Sequence, residues 1–234
     1  ELFKYQDQIH HVLTRHEQGA THSAQGFARI SGRVGVAMAT SGPGATNLIT
    51  GIADAQIDST PMVCITGQVP SHLLGSDAFQ ETDIVGISTP VTKWNHQITR
   101  AEEIPEVIAK AFYIAKSGRP GPVLIDITKD AQFETFDFTY KKCEGVRSYK
   151  PVPKVDTSIL KSAAQAINDA KDPMIVWGQG VILGEAEDEF KAFVEKSGIP
   201  AAWTIMGVSA IPTSHPLNVG MVGMHGNYAP NKLT

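Results

Sequence analysis

A single glutamate stands at the head of a helical stretch, in Arg15-His16-Glu17-Gln18-Gly19-Ala20. A glycine-proline turn follows downstream, in Ser41-Gly42-Pro43-Gly44-Ala45-Thr46-Asn47. One carboxylate at the mouth of a helix, beside a turn that opens a second helix, suits a cofactor ring packed against a single acid. If an apolar cleft faces the carboxylate, burial raises its pKa and lets it exchange a proton with a ring nitrogen. The competing reading is plainer: an acid in the first turn of a helix is favoured by the helix dipole and needs no catalytic duty. The turn is open to the same two readings. It lacks the Gly-Lys-Ser/Thr ending that brings a cation to phosphates, so it is either a tight strand-to-helix connection or one wall of a site. Nothing in the pair calls for a metal site, a nucleophilic triad or a nucleic-acid groove. His10, His11, His16, His22, His72, His96 and His215 show no metal-ligand spacing with acids or cysteines and read as structural or surface residues.

The elements that must position these residues follow from apolar runs alternating with helical periodicity. Val34–Thr40 reads as a buried strand closed by the glycine-proline turn, and residues 44–57 as a helix of small residues. Pro61–Thr66, Val91–Trp94 and Pro122–Ile127 read as further strands, with loop and short helix over 71–86 and a periodic helix over Ala101–Ser117. The helix after Glu17 presents a small-residue face of Ala20, Ser23/Ala24 and Phe27/Ala28 for close packing. Continuous apolar strands separated by helices predict a parallel sheet covered on both faces. From Asp130 to Asp156 the periodicity breaks, and Lys150-Pro151-Val152-Pro153 reads as an extended linker. A second α/β unit follows: helix 158–170, strand Pro173–Trp177 running into Gly178-Gln179-Gly180, helix 185–197 capped by Gly198, and a short strand Pro200–Trp203. The fold class is therefore α/β with two parallel-sheet units, residues 1–137 and 156–234, joined by 138–155.

Composition narrows the partners. Charged residues are 19% of the 234, the net charge is −4 and no basic run occurs, which speaks against nucleic acid. No apolar run approaches the roughly 18 residues of a membrane span, and no signal-like N-terminus is present. Cys64 lies in Met62-Val63-Cys64-Ile65 and reads as a small core residue; two cysteines without close spacing fit a reducing, cytoplasmic setting. The chain lacks an initiator Met and ends abruptly in Asn231-Lys232-Leu233-Thr234, so it reads as a piece of a longer polypeptide.

Five segments in order carry a resemblance: 15–20, Ala39–Asn47, Ile65-Thr66-Gly67-Gln68-Val69, Asp77-Ala78-Phe79-Gln80-Glu81 and Ser117-Gly118-Arg119-Pro120-Gly121-Pro122-Val123. With Asp126-Ile127-Thr128-Lys129-Asp130, the set resembles the catalytic subunits of acetohydroxyacid synthase, also called acetolactate synthase, among the thiamine-diphosphate enzymes. The resemblance implies a pyrimidine-binding domain, its first strand missing, followed by part of a Rossmann-like central domain that holds FAD. It implies an enzyme that decarboxylates pyruvate and condenses the two-carbon unit with pyruvate or 2-oxobutanoate, the first common step toward valine, leucine and isoleucine. Glu17 then matches the glutamate that hydrogen-bonds the aminopyrimidine ring of thiamine diphosphate. Phe79 and Gln80 match residues on the substrate side, Lys129 a lysine on the loop near the substrate entrance, and Gln68 a supporting residue. Arg119, Gly178, Gly180, Thr204, Met224, His225 and Gly226 match flavin-contacting positions, although the spacing Gly178, Gly180, Gly184 departs from the dinucleotide fingerprint. The Mg2+ and diphosphate site of such enzymes uses a Gly-Asp-Gly segment, which does not occur in these residues. A homodimer or tetramer through the pyrimidine-binding domain and a small regulatory subunit are further implications. Two other readings stay open: another thiamine-diphosphate-dependent 2-oxo acid decarboxylase or oxidase, and a non-catalytic flavin- or nucleotide-binding module.

Overall fold

The computed structural model describes residues 2–234. The chain forms two compact units, the first ending at Pro153 and the second running Lys154–Thr234. In the first unit the order is α1 (Glu17–Ser31), β1 (Gly35–Ala39), α2 (Pro43–Asn47), α3 (Ile49–Ile57), β2 (Met62–Gln68), α4 (Ile84–Ser88), β3 (Trp94–Ile98), α5 (Ile104–Lys116), β4 (Pro122–Thr128) and α6 (Lys129–Phe133). The four strands are parallel in the order β1-β2-β4-β3.

Both faces of the sheet are covered, and the alternation of side chains along a strand explains why the central strands are apolar throughout. Met62 and Cys64 of β2 join Ala24, Leu48, Ile52 and Leu124 in one core. Val63, one residue out of phase, joins Ile98, Val107, Ala111, Val123 and Ile125 in the other. Burial pushes the Cys64 thiol up to about 12, so it is a packed apolar group at neutral pH.

Three elements differ from the sequence expectation. Of the expected face of α1, Ala20, Ala24 and Ala28 turn inward, Ser23 and Phe27 are exposed, and Thr21 and Gln25 complete the buried face. That face is set by α3 and β1: a Cβ on Gly51 would lie 2.0 Å from Thr21 Oγ1, and one on Gly35 2.2 Å from the Ala24 carbonyl oxygen. The helix expected over 44–57 is broken at Leu48 into α2 and α3. The strand expected at Val91–Trp94 instead begins at Trp94 and runs to Ile98, because Thr89–Val91 with its Pro90 forms a 3-10 turn. An edge strand has one neighbour, and its polar residues find specific partners. Asn95 Nδ2 donates to the Val85 carbonyl at 2.6 Å and Gln97 Nε2 to Asp126 Oδ2 at 2.9 Å. A search for apolar runs passes over such a strand.

Just before β3, Lys93 reaches the C-terminal end of α5. Its Nζ donates to the carbonyls of Ile114 and Ser117, the latter at 2.7 Å, and to the Tyr149 hydroxyl at 3.1 Å. The last carbonyls of a helix have no intrahelical donors, and a cation there also complements the helix dipole. The Tyr149 hydroxyl donates to the same Ser117 carbonyl at 2.8 Å. Residues 134–156 hold no helix or strand, and Tyr149 ties this stretch back onto the first unit. Lys93→Met is expected to destabilise the first unit by about 1–3 kcal/mol, since two carbonyls lose a charged donor. Urea unfolding followed by circular dichroism measures it; an unchanged midpoint would mean that Tyr149 alone suffices.

The second unit contains α7 (Thr157–Asp169), β5 (Ile175–Trp177), α8 (Gln179–Leu183), α9 (Glu187–Ser197), β6 (Ala201–Trp203), β7 (Asn218–Met221) and α10 (Tyr228–Leu233). Its strands are parallel in the order β5-β6-β7. Trp177, Val194, Ala201, Ala210 and Ile211 form the core, with Phe190 tilted against Trp177 at 5.4 Å between ring centroids. Gly198 closes α9 in the left-handed conformation at φ 66°, where glycine carries no Cβ penalty. Among the described residues no helix is long and apolar enough to cross a membrane.

Candidate functional site

In a parallel sheet every strand delivers its following loop to the same edge, and ligands gather there. In the first unit this edge receives the glycine-proline turn after β1, Gln68 at the end of β2 and Lys129 just after β4. Glu17 reaches the same place from α1. His16 caps that helix, its Nδ1 accepting from the Gln18 amide at 3.1 Å. Glu17 Oε2 in turn accepts from Asn47 Nδ2 at 3.1 Å, which joins the start of α1 to the end of α2.

The glycines of the turn explain the close approach. A Cβ on Gly44 would sit 3.4 Å from Glu17 Oε1 and 2.7 Å from Thr40 Cγ2, so the glycine leaves open the space beside the carboxylate. Gly42 adopts φ 57° and ψ −117°. A Cβ there would lie 2.7 Å from the Gln80 carbonyl oxygen. The turn thus packs on the backbone of the loop that carries Phe79 and Gln80. Glu17, Asn47, Gly44, Gly42 and Gln80 form one connected set, assembled from segments far apart in the chain.

The loop itself is held in an unusual shape. Asp77 and Gln80 have φ values of 55° and 59°, conformations that cost energy in a non-glycine residue. Glu81 clamps it from within: its carboxylate accepts from the backbone N–H groups of Gly75 and Ala78, which hold its pKa below the ordinary value. Phe79 is 88% exposed, and Gln80 and Lys129 are exposed as well. Lys129 is the first residue of the short helix α6 rather than a loop residue, because the chain turns into a helix directly from β4. Beside it Asp130 accepts from the Ser71 hydroxyl and amide, and these bonds, the hydroxyl's first, keep its carboxyl far below its usual range.

The electrostatics of Glu17 differ from the expectation of a raised pKa. Its pKa is lowered, chiefly by the hydrogen bond from Asn47 and also by its backbone environment and His16, and these outweigh the small desolvation of a half-buried group. The acid is ionised at neutral pH, and a ring packed against it is needed before burial can push the pKa the other way.

Residues that sequence reasoning left without a role complete the set. Asn47 was visible only as part of a motif. Asp126 is fully buried on β4 and accepts from Thr66 Oγ1 at 2.6 Å, Gln97 Nε2 at 2.9 Å and Gln68 Nε2 at 3.1 Å. Desolvation raises its pKa above the ordinary value, and these hydrogen bonds oppose the rise. An Asp inside the apolar run Val123-Leu124-Ile125-Asp126-Ile127 was the available signal.

In the second unit the corresponding sheet edge carries Gly178 after β5, Thr204 after β6, and Met224, His225 and Gly226 after β7. Gly178 and Thr204 meet: a Cβ on Gly178 would lie 3.0 Å from Thr204 Oγ1. Gly180 lies in α8, exposed and open around its Cα. Met224 and His225 are exposed, and the turn bearing them is shaped by Asn227, whose Oδ1 accepts from the Met221 amide at 2.8 Å. The Trp203 indole nitrogen is buried with no hydrogen-bond partner among the described residues. Arg119 lies in the first unit, where its guanidinium donates to Ser59 Oγ at 2.7 Å and to the Ile57 carbonyl at 3.1 Å. Among the described residues no group of three or more His, Cys, Asp or Glu side chains is placed to hold a metal ion.

Fold and site together define an α/β protein of two parallel-sheet units, with its candidate site residues gathered at the carboxyl edges of the strands, where such folds bind ligands. The sequence patterns of two domains of one family match it: the N-terminal thiamine pyrophosphate binding domain over residues 1–87 and the central domain over residues 160–234. The chain belongs to the thiamine pyrophosphate enzymes. It is 52% identical over 218 residues to the acetolactate synthase large subunit of Corynebacterium glutamicum, covering 93% of this chain and 35% of that protein. It is 48% identical over 226 residues to the large subunit of acetolactate synthase isozyme 1 of Escherichia coli, covering 97% and 40%. A probable acetolactate synthase large subunit of Methanocaldococcus jannaschii is 48% identical over 230 residues, covering 97% and 39%. The chain spans little more than a third of the length of these relatives.

Proposed function

We propose that this chain supplies the pyrimidine-binding half-site and part of the flavin-binding domain of an acetolactate synthase. The enzyme decarboxylates pyruvate and joins the two-carbon unit to pyruvate or 2-oxobutanoate. The observation that carries this reading is the convergence of Glu17, Asn47, Gly44 and the Gln80 loop at one sheet edge. The residues fit thiamine diphosphate: an ionised carboxylate stands beside a cradle that any Cβ on Gly44 would fill.

Thiamine diphosphate, when bound, supplies the electron sink that decarboxylation of a 2-oxo acid requires. Glu17 holds and exchanges a proton at a ring nitrogen, and packing of the ring raises its pKa toward the working range. Asn47 engages one carboxylate oxygen and so fixes the orientation of the Glu17 side chain. Phe79 and Gln80 line the side where the second 2-oxo acid enters, and Lys129 guards the entrance. Gln68 supports the loop. FAD fits the second unit, where Gly178, Thr204, Met224, His225 and Gly226 follow the strand ends, Gly180 lies in the helix after β5, and the Trp203 N–H has no partner among the described residues. Mg2+ and the diphosphate belong to a domain that carries Gly-Asp-Gly, outside these residues. The reading includes a homodimer or tetramer built through the pyrimidine-binding domain, a small regulatory subunit, and a cytoplasmic location.

The test is a pyruvate turnover assay with thiamine diphosphate, Mg2+ and FAD. The complete enzyme is expected to form acetolactate, and acetohydroxybutyrate when 2-oxobutanoate is added. Residues 1–234 alone are expected to form neither product. Acetaldehyde or acetate as the sole product of the complete enzyme would shift the reading to a decarboxylase or oxidase of the same family.

A further inference from the structure

We infer that Asp126 is a positioning residue for the loop bearing Phe79 and Gln80, acting through Gln68. The inference rests on the acetolactate synthase reading for what that loop does, and on geometry alone for what holds it.

Gln68 has two amide hydrogens and one carbonyl oxygen, and all three are used. Nε2 donates to the Thr82 carbonyl at 2.8 Å and to Asp126 Oδ2 at 3.1 Å, while Oε1 accepts from the Val69 amide at 2.9 Å. Thr82 lies two residues beyond Gln80. Its carbonyl is the point where the core of the sheet grips the far end of the strained 75–82 loop. The grip works only while the Gln68 amide is oriented with its nitrogen toward Thr82. Asp126 Oδ2 accepts from that nitrogen and from Gln97, so it enforces this orientation; Oδ1 is taken by Thr66. A buried side chain with no polar partner costs more than the bond is worth, so the network has one satisfied arrangement. Glu81 shapes the loop from inside, and Asp126 anchors it from below.

An acceptor at the Oδ2 position is what the network needs, not the charge. Asp126→Asn satisfies it: the amide oxygen faces Gln68 and Gln97, and the amide nitrogen donates to the Thr66 hydroxyl, which can accept. Asp126→Leu keeps the approximate volume and removes the acceptor. Three variants of the complete enzyme, D126L, D126N and Q68L, test this by amide hydrogen exchange and by steady-state kinetics with pyruvate.

In D126L, exchange over residues 76–83 is expected to rise about tenfold while the core strands 62–66 and 122–125 stay protected. KM for pyruvate is expected to rise about tenfold with kcat changed far less, as for a misplaced binding loop. Q68L is expected to reproduce both effects, and D126N to restore both to the level of the unaltered protein. Two results would overturn the inference: unchanged loop exchange in Q68L, or D126N as impaired as D126L. Should D126L fail to fold, Q68L and D126N still decide the matter. Absence of acetolactate formation in the unaltered enzyme would sink the functional reading and leave the exchange experiment to judge Asp126 independently.

Discussion

Glu17→Gln in the complete enzyme is expected to lower acetolactate formation by roughly a hundred- to ten-thousandfold, the range typical for loss of a positioned acid–base group. The substitution is close to isosteric. The Gln side-chain oxygen still accepts from Asn47 Nδ2, so the contact between α1 and α2 survives. The variant therefore separates chemistry from architecture: its thermal midpoint and FAD content should match the unaltered enzyme. The depressed pKa of Glu17 adds a second readout. Loading with thiamine diphosphate should move the Glu17 titration upward, because the ring removes water from the carboxylate. Near-normal turnover in Glu17→Gln would favour a chain that keeps the fold as a binding module and has no use for the acid.

Gly42→Ala should damage both stability and the site. The residue sits at φ 57° and ψ −117°, where a side chain is strained regardless of space. Its Cβ would also meet three backbone atoms of Gln80, at 2.7 to 3.0 Å, and backbone cannot swing aside as a flexible side chain can. Strain and overpacking together are expected to cost about 2–4 kcal/mol, measured by denaturant unfolding. What the fold does not absorb must appear as displacement of the Phe79–Gln80 loop, seen as a raised KM for pyruvate. Gly19→Ala is the matched control: Gly19 lies in α1 with nothing within 4 Å of its would-be Cβ. There alanine should be neutral or stabilise by up to about 1 kcal/mol. Equal stability of the two variants would show that the turn tolerates rearrangement and does not lock the loop.

Much of the architecture was legible in the sequence because burial on both faces leaves a strong mark. The runs Val63-Cys64-Ile65 and Val123-Leu124-Ile125 could be placed as central parallel strands from apolarity alone, and Gly198 could be read as a helix stop. The misplaced strand at 91–94 failed for the converse reason. Trp94-Asn95-His96-Gln97-Ile98 lies at an edge, and Asn95 and Gln97 within it bond to Val85 and Asp126. The α1 face was placed by its alanines but not in full, because Thr21 is buried where the distant Gly51 lets α3 approach, and Ala24 where Gly35 lets β1 approach.

The sequence by itself determined the class of this protein: two parallel α/β units, an isolated acid before a glycine-proline turn, and an ordered set of motifs shared with acetolactate synthase large subunits. Such information is local, written in residue type and spacing. Only the tertiary structure decided which residues act together. Glu17 meets Asn47, Gly42 meets Gln80, and Asp126 reaches the loop through Gln68, each pair joined across 30 or more positions or through a third residue. It also decided the sign of the Glu17 pKa shift, because hydrogen-bond donors and exposure are properties of the folded surface and leave no trace in spacing.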